Sequence, residues 1–291
     1  MPPPDILLAP GPERVATTNA WAFCRRLHLP AHPAAADGPA LWAALREALA
    51  ADPRGGAAAF AAFAGVPAAP AQLAPRPGAE PTLILYPRAG PPRPVPSEAW
   101  TRPASDLPAG LAAALLHRWD RQRLLALRAG LLLQLDLRPD DVVLLAGHPP
   151  ANWLPALIDG TRLILAEATP ARLLPLAAET GATVLAAPAG WITEAAVMRG
   201  DQPGLGALRA LVALGGSMAP AARARVYGWI KADVMLFARA GARYWGNPLS
   251  PVMARPAAEP ALFCSGAPDP RTGGGRRGTR SGPDETDQPR A

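Results

Sequence analysis

From residue 82 onward, short apolar runs alternate with segments whose leucines recur at helical spacing. Thr82–Tyr86, TLILY, is bounded by Pro81 and Pro87 and predicts a buried strand. Residues 105–133 predict one long helix. Ser105 or Asp106 caps it, Pro108 sits in its first turn, and Leu111, Leu115, Leu116, Leu124, Leu125 and Leu132 mark its apolar face. Arg118, Arg121, Arg123 and Arg128 are assigned to its solvated face. The alternation then becomes regular. Strands are expected at 141–146, 162–166, 183–186, 210–214 and 233–237. Helices are expected at 153–158, 170–180, 190–199 and 219–230, with Thr169 as N-cap and Pro170 at the first position of the second. Apolar strands alternating with helices imply an α/β fold: a doubly wound, mostly parallel sheet with helices on both faces.

Before residue 81 the pattern is weaker. Residues 1–80 read as an Ala/Pro-rich leader with short helices at 19–27 and 39–51, and 55–78 as a loosely packed linker. The run 87–94 reads as an irregular loop. His28 and His32 are four apart, but Pro30 lies between them, so two surface histidines are expected rather than a metal pair. Residues 249–291 are rich in Gly, Pro, Arg and Asp and have little to bury. They read as a disordered tail, native or from a shifted reading frame. The organisation expected is therefore leader 1–80, α/β domain 81–248 and tail 249–291.

Composition narrows the classes. Of 291 residues, 49% are hydrophobic, enough for a real core, while 38 prolines and 27 glycines keep much of the chain out of regular structure. The formal charge is +6, yet Lys231 is the only lysine, and no basic stripe with interleaved aromatics occurs. Nucleic acid is not an expected partner. Cys24 and Cys264 form neither a disulfide framework nor a metal motif, which suits a cytoplasmic location. No apolar run approaches the roughly 20 residues of a membrane span.

The stretch with most chemical promise is 205–220, LGALRALVALGGSMAP. A buried strand stops at Gly215-Gly216, Ser217 can cap the next helix, and backbone N–H groups gather at the carboxyl edge of the sheet. Open α/β sheets bind ligands at that edge. A tight turn alone would account for the glycines as well.

Taken in order, the landmarks of 81–248 resemble the large N-terminal domain of the AMP-forming adenylating enzymes, which include acyl-CoA synthetases and peptide-synthetase adenylation domains. ILYPRAGPPRPV (84–95) stands where that family has its phosphate loop. LDLRPDDVVLLAG (135–147), His148, DGTRLILAE (159–167), ATVLAAP (182–188) and ALRALVALGGSMAP (207–220) follow in family order. The resemblance implies ATP-dependent activation of a carboxylic acid to an acyl adenylate, with ATP and AMP as cofactors. It implies nucleotide or acyl contacts from Gly215, Gly216, Ser217 and His148.

The parts that carry the chemistry are degenerate. A phosphate loop needs inward N–H groups, hydroxyls and a lysine. Here Pro87, Pro91 and Pro92 remove three donors, no Ser or Thr remains, and Val95 replaces the lysine. Arg88, Gly90 and Arg93 are what is left of the loop. FARAGARYWGN (237–247) lacks the acidic residue that holds magnesium in the family, so no metal site is expected. The small C-terminal domain of the family also has no counterpart here. The expectation is a truncated, motif-degenerate ligase relative, catalytically impaired as this chain alone, whose missing half a partner chain could supply. A non-catalytic nucleotide- or acyl-binding module, and an unrelated doubly wound domain, remain open alternatives. Trp153, Trp191 and Trp245 are read as packing residues, and His117 as a surface residue.

Overall fold

A computed structural model describes residues 17–29, 38–96, 100, 107–147, 150–198, 205–214, 235–240 and 243–245. Its centre is an eight-stranded sheet. In chain order the strands are β1 (Thr82–Tyr86), β2 (Arg93–Val95), β3 (Val142–Ala146), β4 (Arg162–Ala166), β5 (Val184–Pro188), β6 (Ala210–Leu214), β7 (Met235–Ala240) and β8 (Arg243–Trp245). In space they run β2-β1-β4-β3-β5-β6-β7-β8. The six inner strands are parallel, and β2 and β8 close the edges antiparallel.

The inner strands β1 and β3 to β6 are mostly apolar because both faces are covered. Side chains alternate between two clusters. Leu83, Val143, Leu145, Leu163, Val184, Ala186 and Val212 face one layer. Leu144, Ala146, Ile164, Leu185, Ala187 and Leu211 face the other. The first layer contains α1 (Asn19–Arg26), α2 (Gly38–Ala51), α3 (Pro53–Ala64), α4 (Ala109–Leu116) and α5 (Arg121–Ala129). The second contains α6 (Pro170–Glu179) and α7 (Ala189–Met198). The doubly wound, mostly parallel α/β sheet is thus the fold. The helix expected at 219–230 lies outside the described residues.

Several local expectations are corrected. The segment 55–78 is not a bare linker: Asp52 caps α3, accepting from the Gly55 N–H at 2.9 Å, with Pro53 in the first turn. Alanine supplies the helix propensity, and Phe60 stacks edge-on against Phe23 with ring centroids 5.2 Å apart. The helix of 105–133 is also not continuous. α4 ends at Leu116, the chain extends through His117, and Asp120 caps a new helix by accepting from the Arg123 N–H at 3.0 Å. Trp119 makes the break: it is 1% exposed and its backbone N–H bonds Ala71 O at 2.8 Å. α5 then widens into a π turn at Gly130–Gln134, which keeps Leu131, Leu132 and Leu133 all buried.

The largest correction concerns Arg128, which is fully buried rather than solvated. Its Nε donates to Ala64 O at 3.0 Å and its Nη1 to Pro155 O at 2.9 Å, while Nη2 pairs with Asp159. Burial lowers its pKa, and Asp159 opposes that shift. Arg76 reaches the same carboxylate at 3.3 Å and donates to Phe63 O. One ion cluster therefore ties α3, α5 and the turn before β4.

Removing one partner of a buried ion pair costs about 3–5 kcal/mol, because the survivor is left unpaired. Asp159→Ala should lower unfolding free energy by that order in urea titration. A loss below about 1 kcal/mol would show that Arg128 finds other compensation. Cys24 is 3% exposed, and burial pushes its thiol from the ordinary 9.0 up to about 12. At pH 8 it should resist iodoacetamide in the folded chain and react after unfolding, as read by peptide mass mapping.

Candidate functional site

Neighbouring strands β3 and β4 send their chains to opposite layers. β3 continues into the 3-10 turn Leu154–Asp159 on the first, and β4 into α6 on the second. Such a switch opens a crevice at the carboxyl ends of the strands. A cavity of about 440 Å³ lies there, within the range of small-molecule sites. Leu85 and Tyr86 of β1, Leu145 of β3 with Gly147 after it, and Leu165 to Ala168 around β4 form its floor. Leu111 of α4 and Trp191 of α7 wall it, and Arg93 and Glu167 bring charge to an otherwise mostly apolar lining.

Gly147 has a positive φ of 65°, and a Cβ there would lie 2.8 Å from two carbons of the Trp191 ring. Trp191 thus sits on the end of β3 in space that any other residue at 147 would contest. The indole belongs to the second layer, yet it borders the same cavity as Leu111 of the first.

The segment after β1 was expected to be an irregular loop. Its far end instead folds back as β2, with Leu83 opposite Val95, Ile84 opposite Pro94 and Leu85 opposite Arg93. Pro94 is tolerated because an edge strand can spare a donor. Arg88 and Gly90 are exposed at the turn. The Arg88 N–H donates to Glu167 Oε2 at 3.3 Å, linking the turn to the end of β4. Of the three loop candidates, only Arg93 lines the cavity; Arg88 adjoins it through Glu167, and Gly90 stays outside its wall. Val95 is 6% exposed and packs in the first layer's core. The run 87–95 does not fit a triphosphate: prolines interrupt its N–H groups, and it contains no Ser or Thr. Among the described residues no cluster of three metal-ligating side chains occurs. Gly215, Gly216, Ser217 and His148 lie outside the described residues.

Sequence reasoning missed Glu167, Leu111 and the cavity role of Trp191. Glu167 directly follows an edge-proximal strand at its carboxyl end, which was the available signal. The strongest electrostatics lie at the opposite end of the sheet. Asp141 accepts from Thr183 Oγ1 at 2.6 Å, from Arg209 Nε at 2.8 Å and from the Arg138 N–H at 2.7 Å. Burial alone would lower the Arg209 pKa, but the hydrogen bond and charge of Asp141 raise it. Asp136 takes the Asn19 N–H at 2.7 Å, and burial pushes its carboxyl up. These groups fasten the entries of β3, β5 and β6 and leave the carboxyl edge apolar.

The α/β architecture is similar to that of solved N-terminal domains of adenylate-forming enzymes. Acetoacetyl-CoA synthetase from Streptomyces lividans is similar over 84% of this chain and 67% of its own, with TM-score 0.62 and 14% identity. VinN in complex with L-aspartate matches 44% of this chain and 35% of its own, at 16% identity and TM-score 0.37. The N-terminal subdomain of Klebsiella oxytoca NpsA matches 43% and 34%, at 16% identity and TM-score 0.34. The chain spans about a third of VinN. No family model matches the sequence. No curated protein matches it either. Among the described residues, no helix is long and apolar enough to cross a membrane.

The contact between Gly147 and Trp191 is open to a double-mutant cycle. Gly147→Ala should cost about 1–3 kcal/mol from left-handed backbone plus ring displacement. In a Trp191→Ala background only the backbone part, about 1–2 kcal/mol, should remain. Additive losses in urea titration would show that the ring yields freely.

Proposed function

We propose that this chain is a relative of the adenylate-forming ligases that keeps their ligand cleft but not, on its own, their ATP-dependent chemistry. The cleft takes a carboxylic acid or its acyl derivative. The observation that carries this reading is a contrast at one edge of the sheet. A cavity of small-molecule size, mostly apolar with Arg93 in its wall, adjoins a turn without the donors a triphosphate needs.

Chemically, the residues present can bind and orient. Leu85, Leu111, Leu145 and Leu165 exclude water from an acyl group, and the Arg93 guanidinium offers a fork to a carboxylate. Among the described residues, Arg93 is the one cationic side chain in the cavity wall. Any remaining nucleotide contact is assigned to Gly215, Gly216, Ser217 and His148. A partner chain carrying the second half of such an enzyme is the complement we assign to full activation.

The test is ATP–pyrophosphate exchange with a panel of carboxylic acids, run beside direct acid binding by calorimetry. Binding without exchange above background is the expected result. Robust exchange by the isolated chain would overturn the loss of chemistry, and absence of binding to any acid would overturn the cleft assignment.

A further inference from the structure

The sheet order gives the cavity a direction. Arg93 is on β2, at one edge; next come β1 and β4, and then β3, whose end carries Gly147 and Trp191. Three strand spacings separate β2 from β3, about 14 Å at roughly 4.8 Å each. Arg93 and the indole thus stand at opposite ends of a mostly apolar trough, with Glu167, after β4, between them. Leu85, Leu145 and Leu165 line the trough between them.

We propose that Trp191 is the residue that limits ligand length. An anionic head sits at Arg93, the apolar chain lies across the ends of β1 and β4, and the indole stops it beyond β3. This inference rests on the cleft assignment above and adds an orientation and a stop. Two observations carry it. Trp191 belongs to α7, which follows β5 on the far side of β3, so its ring closes that end. It reaches the trough across a residue with no side chain, 2.8 Å from where a Cβ would be, so the ring is fitted to this position. A longer chain can advance only by displacing the ring.

The experiment uses the full chain and straight-chain saturated carboxylates from butanoate to dodecanoate, by isothermal titration calorimetry. In the unaltered protein, affinity should rise about fourfold per added methylene and then stop rising at one length. Trp191→Ala should move that length up by two or more carbons, and Trp191→Phe by less. Circular dichroism verifies that each variant is folded, and the Phe variant preserves the test if Ala destabilises α7. Arg93→Gln should weaken every acid by a similar factor and leave the stop in place. The same stop in folded Trp191 variants would overturn the role of Trp191 while leaving the cleft intact. A stop that moves with Arg93→Gln would overturn the orientation. If no carboxylate binds any form, the cleft assignment falls and this inference with it.

Discussion

A fully buried guanidinium is the constraint around which this fold is arranged. Arg128 cannot be solvated, so everything near it must supply acceptors. Ala64 O closes α3 onto it, Pro155 O and Asp159 bring in the turn that leads to β4, and Arg76 joins from the preceding loop. Gly65, with φ of 66°, ends α3 where a Cβ would strike Arg76 Nε at 2.6 Å. The alanine-rich helices have little area to offer individually. A shared ion cluster fixes their arrangement where small side chains specify position weakly.

The sheet divides its labour along the strand axis. At the amino ends of β3, β5 and β6, Asp141, Thr183 and Arg209 form a hydrogen-bonded set that spans three strands. At the carboxyl ends, polar fastening stops and an apolar trough opens between α4 and α7. Rigid entries and open exits suit a site built on strand ends, because the floor is held by groups that never meet the ligand.

Five of the six inner strands, β1 and β3 to β6, were legible because each carries an apolar run of four or five residues, which a strand covered on both faces needs. α6 was legible through Thr169-Pro170 and Gly181, its start and stop. α3 was hidden by Gly55-Gly56 and by alanines that resemble low complexity, although Asp52-Pro53 announced a cap. Arg128 was misassigned because arginines on a leucine-rich helix usually face water. Only its partner Asp159, 31 residues away, explains its burial. The cavity was half legible. Strand ends fixed its location, but the meeting of Trp191 with Gly147 depends on strand order, since 44 residues separate them in sequence. Arg93 was singled out as the residue of a loop, and it lines the cavity from a paired edge strand instead.

That edge strand also fixes the course of the loop after β1. Pairing of β2 with β1 places Val95 in the core opposite Leu83, so the return of the hairpin is fixed by apolar contact rather than by a ligand. A loop that must wrap a phosphate leaves its N–H groups free and inward, at a cost in stability. Here prolines remove some of those groups and the ladder takes others. The Arg88 N–H ties the turn to Glu167, directly after β4. The hairpin is thus an edge held by its own pairing. The trough beneath needs no nucleotide to hold its shape, because its walls are anchored in the two packed layers on either side of the sheet.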